Sequence, residues 1–170
     1  FKECPNHVTL NGYFQSEKYF KNAEKLVRLD FRFREHIIEE VEKHYSEYLK
    51  DKPVSILVRD FNPDYDYPNC ENNHINIPSE FYEKSIDILG KDRTYIICSN
   101  NIEQTKKQKV FQGDNFIFNE VVPDDIYKGH FDLCLMSMCQ DFIISNSTFA
   151  WWGAWLGKGE RKRVLIPTPW

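Results

Sequence analysis

No apolar run in this chain approaches the roughly 20 residues that a membrane-spanning helix needs. A signal peptide is absent as well, so the expected setting is cytoplasmic. Positive charge is not in excess: the net charge is −4. A general nucleic-acid binder would need a basic face to neutralise phosphates, and that class is set aside. The five cysteines (Cys4, Cys70, Cys98, Cys134 and Cys139) form no CxxC pair and show no metal-ligand spacing. Their number is odd, and three sit among apolar residues of expected strands or helices, as reduced, buried thiols do. No Ser–His–Asp or Cys–His constellation is legible. His36 and His44 belong to a helix surface, and His7 and His74 fall in loops. Internal repeats and low-complexity segments are also missing. The sequon Asn146-Ser147-Thr148 falls at a buried strand–helix turn and reads as accidental.

What is present organises around residues 141–157. Asp141-Phe142-Ile143-Ile144 suits a buried parallel strand. Ser145, Asn146, Ser147 and Thr148 follow, and such residues cap helices by accepting from the first turn's orphaned N–H groups. The block from Phe149 to Leu156 is apolar almost all round and closes at Gly157, read as a C′ residue. A strand, a polar turn and a buried helix put free N–H groups and the positive end of the helix dipole at one point, which makes an anion site. The hydroxyls of Ser147 and Thr148 either donate to a phosphate there or only cap, with the tryptophans only packing.

At 170 residues, 41% hydrophobic and 28% charged, the chain has room for one domain with a real core. Ser16 is placed to cap a helix to about Leu29, with Tyr19, Phe20, Ala23 and Leu26 on one face. A second helix, 32–50, carries Ile37, Ile38, Val41, Tyr45 and Tyr48 at helical spacing, with Glu39 four residues before Lys43. Pro53 to Arg59 reads as a strand, and a long loop runs from Asp60 to Ile77. Pro78 and Gly90 frame a helix with Phe81, Ser85, Ile88 and Leu89 inward. Strands at 94–98 and 115–118, a helix at 130–140 and a last strand at 163–166 complete the pattern, with a short extended piece at 8–14. Alternating strands and helices mean right-handed βαβ units and a Rossmann-like parallel sheet flanked by helices. Such sheets bind ligands at the carboxyl ends of their strands. Arg59, Ser99-Asn100-Asn101 and Ser145 to Thr148 collect there.

Among these, Arg59 closes an apolar strand, and its fork matches a pair of phosphate oxygens; the other reading is a salt bridge to Asp60 or a loop carboxylate. Asp132, taken to open the helix before the central strand, has the chemistry to accept from two adjacent N–H groups such as guanine's N1 and N2. The plainer alternative is a first-turn aspartate favoured by the dipole. Asp64-Tyr65-Asp66 resembles the acidic triplet with which metal-dependent sugar transferases hold a divalent cation, although it lies in a loop and a three-residue pattern is a weak signal.

Two longer stretches carry a family resemblance. Gly12-Tyr13-Phe14-Gln15-Ser16-Glu17-Lys18-Tyr19-Phe20, and Asp132-Leu133-Cys134-Leu135-Met136-Ser137 through Ile144 to Leu156, resemble glycosyltransferase family 11, the α-1,2-fucosyltransferases. The resemblance runs from Gly12 to Pro167. It implies the donor-binding half of a GT-B fold, with residues 1–170 as one nucleotide-sugar-binding domain and 1–30 as the link from an N-terminal acceptor domain. The absence of Met at position 1 and the stop at Trp170, directly after a strand-like run, fit a fragment. The implied reaction is inverting transfer of a sugar, fucose by analogy, from a GDP-sugar to a galactosyl-containing glycan, with no metal or other cofactor. Its partners are the donor and the glycan acceptor, and any peripheral membrane association comes through that acceptor. By the same resemblance, Arg59 neutralises the departing β-phosphate, Ser147 and Thr148 bind the pyrophosphate, and Asp132 reads guanine. Gln15, Ser99 and Asn146 complete the donor site.

Departures from the family pattern fall in its arginine motif, His-x-Arg-Arg-x-Asp. The histidine is Leu57, the second arginine is Asp60, the aspartate falls at Asn62 or is displaced into the loop, and the Ser-Asp-Asp segment after the next strand is Ser99-Asn100-Asn101. A charge reversal beside a diphosphate weakens transition-state stabilisation by about a few kcal/mol. The alternative is therefore a non-catalytic nucleotide-sugar-binding domain of the same descent. Richness in Lys, Asn, Ile, Phe and Tyr fits a bacterial source.

Overall fold

The computed structural model describes residues 16–61 and 76–168, with position 9. Among these residues five strands form one parallel sheet: β1 (Val54–Val58), β2 (Tyr95–Ser99), β3 (Phe116–Phe118), β4 (Asp141–Ile144) and β5 (Val164–Leu165). Their order is β3-β2-β1-β4-β5, so the sheet starts in its middle and grows outward in both directions. β1, β2 and β4 are buried along their whole length, which is why they read as continuous apolar runs rather than alternating ones. In register, Leu57 lies beside Ile144 and Val58 beside Ser99.

Alternation along the strands divides the core in two. Leu57, Ile96, Cys98, Phe142 and Ile144 face α2 (Glu35–Lys50), α5 (Lys128–Ser137) and α6 (Thr148–Leu156). Val54, Ile56, Val58, Ile97 and Ile143 face α3 (Ser79–Leu89) and a 3-10 turn at Lys109–Phe111. Cys98, Cys134 and Cys139 are buried free thiols, and burial pushes Cys134 and Cys139 up to about 12.

At the amino ends of the strands, Asp141 ties the sheet together. Its carboxylate accepts from the guanidinium groups of Arg93 and Arg163 and from the Arg163 N–H. Burial alone would raise its pKa, but these donors outweigh burial and hold it below the ordinary carboxylate value.

Several sequence expectations are corrected here. The segment from Ser16 is two 3-10 turns, Glu17–Tyr19 and Lys21–Ala23, before α1 (Glu24–Asp30). That change of pitch resets the phase, so Tyr19 and Leu26 leave the inward face, and Leu26 is 64% exposed. In α3 the buried stripe is Tyr82, Ser85, Ile86 and Leu89, which turns Ile88 outward at 62% exposure. Lys43 bonds Glu40, which also takes His44, rather than Glu39. Tyr48 is exposed. Gly90 follows α3 at φ 110°, the backbone region for which glycine is suited.

α6 is apolar all round, but part of its cover comes from the segment leading into α2. Phe20 and Phe31 stack on Trp152 with ring centroids 5.7 and 4.5 Å away. Arg28 lies over the Trp155 ring at 4.0 Å and donates to the Trp155 carbonyl. Lys162 donates to the carbonyls of Ala154, Trp155 and Gly157, the negative end of the helix. The tryptophans therefore pack. Gly157 is not a left-handed cap: its φ is −52°, and a Cβ there would stand 2.4 Å from Phe142 Cζ. The glycine is required by the closeness of that ring.

Among the described residues no helix is long and apolar enough to cross a membrane. Apart from position 9, the extended piece expected at 8–14 lies outside the described residues, as does most of the loop after Phe61.

Candidate functional site

In this strand order the direction of winding reverses between β1 and β4, and α/β sheets bind ligands in the crevice beyond the carboxyl ends at such a point. Pairing carries on past the strands there, because the Ser145 N–H donates to the Leu57 carbonyl at 3.3 Å. Arg59 therefore leaves β1 beside the 145–148 turn that leaves β4. Arg59 is half-buried, with its guanidinium carbon 5.0 Å from the Phe61 ring centroid. Ser147 is the N-cap of α6, in extended conformation, and its Oγ accepts from the Ala150 N–H at 3.4 Å. Capping uses the oxygen and leaves the hydroxyl proton to donate. Asn146, Ser147, Thr148 and Phe149 are all half-buried, in keeping with a turn that lines a crevice. Ser145 is fully buried, and its Oγ finds no partner among the described residues.

On the other side of β1, the β2 terminus is sewn to Asp60. The Asp60 N–H donates to Asn100 Oδ1 at 2.9 Å, and the Asn100 amide returns a bond to the Asp60 carbonyl at 2.8 Å. The Asn101 amide donates to the Asp60 carboxylate at 2.6 Å. Ser99 points into this junction: its Oγ accepts from the Asn101 N–H and from Thr105, which leaves 8% of the residue exposed. Asn101 also caps α4 (Ile102–Lys106) through Gln104 N. Ser99 thus shares an edge with Arg59 while its hydroxyl serves the neighbouring turn.

Asp132 lies in the second turn of α5, not at its start, because the helix begins at Lys128. The helix dipole is spent within the first turn, so it does not account for this residue. The carboxylate is held by a buried network. Asn119 Nδ2 and Lys128 Nζ both donate to Asp132 Oδ1, at 2.6 and 2.9 Å. Asn119 Oδ1 in turn accepts from the Tyr45 hydroxyl at 2.7 Å. Burial pushes the Asp132 carboxyl above its ordinary value, and Lys128 and Asn119 oppose that rise. Burial likewise raises the Tyr45 hydroxyl far above its usual range, so it stays protonated and donates. Of these partners only Lys128, four residues before Asp132, carries a signal legible in the sequence. Asn119 and Tyr45 arrive through tertiary packing.

The structure thus brings Arg59, Asn146, Ser147 and Thr148 to the switch point, with Ser99 on one flank, while Asp132 occupies its own buried network on α5. Gln15, Asn62, Asp64 and Asp66 lie outside the described residues. A cavity of about 450 Å³, lined in part by Glu17, Ile144, Trp151 and Ile166, borders the carboxyl end of β4. A larger one of about 980 Å³ opens near the strands' amino ends, beside Lys52 and Gln140, away from this chemistry.

The sequence model of Glycosyl transferase family 11 matches residues 2–169, which is nearly the whole chain. The chain belongs to glycosyltransferase family 11. An alpha-1,2-colitosyltransferase of Escherichia coli is 32% identical over 174 residues that cover 96% of this chain and 56% of the relative. The O-antigen biosynthesis glycosyltransferase WbnK of Escherichia coli is 32% identical over 107 residues, covering 61% of this chain and 34% of WbnK. The chain thus spans little more than half, or less, of these curated relatives. Among solved structures, POFUT1 in complex with GDP superposes with a TM-score of 0.54 at 16% identity, covering 82% of this chain and 50% of POFUT1. POFUT1 in complex with GDP-fucose gives 0.51 at 13% identity, covering 79% and 47%. At these identities the likeness is one of fold: the Rossmann-like parallel sheet of this family-11 chain is also the fold of about half of POFUT1.

Proposed function

We propose that this chain is the donor-binding part of a glycosyltransferase that moves a deoxyhexose from a GDP-sugar to a galactosyl-containing glycan. The sugar is fucose by analogy with the family, or colitose as in the name of the relative above. The transfer is read as inverting and metal-independent. The observation that carries this is that β1, which runs into Arg59, and β4, which runs into the α6 N-terminus, are paired neighbours at the switch point. As the glycosidic bond to phosphate breaks, negative charge grows on the departing diphosphate. A guanidinium on one side and the first-turn N–H groups with the Ser147 and Thr148 hydroxyls on the other stabilise that charge, more in the transition state than in the ground state. Binding of GDP and GDP-fucose by structural neighbours supports a nucleotide donor. The acceptor is a bacterial surface glycan of the kind that WbnK's name specifies, and any peripheral membrane contact comes through it.

Calorimetry with GDP, GDP-fucose and UDP, with and without EDTA, on this chain and on Arg59→Ala, tests the reading. Micromolar GDP binding that ignores EDTA and weakens at least tenfold in Arg59→Ala supports it; a tenfold loss corresponds to about 1.4 kcal/mol, within the range of one charge-assisted hydrogen bond. Binding that EDTA abolishes would instead point to Asp64 and Asp66. Equal GDP affinity in the variant removes Arg59 from the site.

A further inference from the structure

Asp132 meets its two partners unequally. Both Asn119 Nδ2 and Lys128 Nζ land on Oδ1, and among the described residues no donor reaches Oδ2. A carboxylate oxygen has about two lone-pair sites, so Oδ1 is filled while Oδ2 is open. Oδ2 is also not sealed off: the buried, unpartnered polar side-chain atoms among the described residues are those of Ser55 and Ser145, and the Asp132 side chain is 12% exposed. On the other partner, the Lys128 ammonium uses two of its three N–H groups, one on Oδ1 and one on the Val121 carbonyl at 3.3 Å. Its side chain is 34% exposed. What this corner of α5 shows to an incoming molecule is therefore one donor beside one acceptor, not two acceptors.

That arrangement conflicts with reading guanine through N1–H and the 2-amino group. Two adjacent donors need both carboxylate oxygens, and Oδ1 is already taken. It suits the neighbouring pair on the same ring edge, O6 and N1–H, which is an acceptor beside a donor. Resting on the reading of a GDP-sugar donor whose base sits against Asp132, we propose that Lys128 is a second base contact, donating to O6 while Asp132 Oδ2 accepts from N1–H. Asn119 is the positioning residue. Its Oδ1 is held by the Tyr45 hydroxyl and the Val121 N–H, and its Nδ2 also reaches Cys98 Sγ at 3.8 Å, so the amide is locked with its donor on Asp132. The carboxylate is fixed from behind and the ammonium from the side.

Inosine diphosphate separates the two ways of reading the base, because it keeps O6 and N1–H and lacks the 2-amino group. Titrating the chain with GDP and with inosine diphosphate should give dissociation constants within about threefold of each other, since Asp132 then makes no contact to the 2-amino group. In Lys128→Met the loss of one charge-assisted bond should weaken GDP by about tenfold or more. The freed Oδ1 should then restore a preference for GDP over inosine diphosphate. An ordinary i,i+4 salt bridge would leave that ratio unmoved. A preference of about thirtyfold or more for GDP in the wild-type chain overturns the assignment and leaves the donor reading standing, as does unchanged GDP affinity in Lys128→Met. Failure of GDP itself to bind overturns the donor reading first. The wild-type ratio needs no variant, so the inference stays testable even if Lys128→Met is unstable.

Discussion

Gly157 supplies a sharp test of how the sheet supports α6. An alanine there would put its Cβ 2.4 Å from Phe142 Cζ, 2.8 Å from Cε2 and 3.2 Å from the Ala154 carbonyl. Carbon atoms rest at about 3.5–4.0 Å, so the ring or the helix end must move by about 1 Å. Neither moves easily. Phe142 is fully buried in β4, and interiors packed to crystal density relax only in part. Forcing a methyl into such a core costs about 1–3 kcal/mol. Replacing glycine where φ is −52° returns about 0.4–1 kcal/mol by restricting the unfolded chain. The net expectation is a loss of about 1–2 kcal/mol, or about 2–8 °C in Tm for a domain of this size.

Gly153→Ala is the internal control. Its Cβ would meet Met136 Cε at 2.6 Å and Met136 Cβ and Sδ at 3.2 Å, and the terminal methyl of a methionine can swing away. Alanine also gains about 1 kcal/mol over glycine inside a helix. This variant should therefore stay within about 1 kcal/mol of the parent chain. Urea unfolding of both, read by tryptophan fluorescence and by circular dichroism, gives the comparison. If Gly157→Ala is as stable as Gly153→Ala, or more stable than the parent, the Phe142 contact is not what requires the glycine and the reasoning fails.

Asp141 should govern part of the acid limb of stability. Its carboxyl titrates below the ordinary value when folded, so the unfolded chain binds the extra proton. The stabilisation is present above about pH 4 and is lost as pH falls through the folded value. Asp141→Asn should flatten that limb and cost about 2–3 kcal/mol at pH 7, the range of a charged hydrogen-bonded group; urea midpoints from pH 3 to 7 check both. Lys162→Met removes three donors from the α6 carboxyl end and should lower stability by about 1–2 kcal/mol, measured the same way. An unchanged midpoint would mean that water serves those carbonyls equally well.

Much of the sheet is legible because its strands are short, β-branched and buried on both faces, so Val54–Val58, Tyr95–Ser99 and Asp141–Ile144 announce themselves as apolar runs. The turn at 145–148 is legible from the same contrast, since capping residues between a buried strand and an apolar helix mark where that helix begins and where its free N–H groups point. Spacing tells which residues share a helix face only when the helix pitch is known from its start. The 3-10 turns before α1 break that condition for Leu26. Gly157 shows a second limit: glycine after a helix has two causes, and only the position of Phe142 distinguishes them. The Asp132 network is the third. Tyr45 and Asn119 meet across 74 residues, and Asn119 reaches Asp132 because β3 ends beside α5. A hydrogen bond between side chains carries no periodicity, so no sequence pattern marks it.

The two places where this chain departs from the family's arginine and Ser-Asp-Asp segments touch each other, and that changes how the departures weigh. Asp60 stands where a second arginine is expected, and its carboxylate is bonded to Asn101. β1 lies between β2 and β4 in the sheet, so Asn101 draws that negative charge toward the β2 side, while the α6 N-terminus stands on the β4 side. Position 60 leaves β1 just after Arg59, but its carboxylate is turned toward Asn101 on the β2 side, farther from the α6 N-terminus than a side chain turned toward β4 would be. Loss of the second arginine removes one attraction; the aspartate in its place, held away by Asn101, adds much less repulsion than an unrestrained carboxylate beside the diphosphate would.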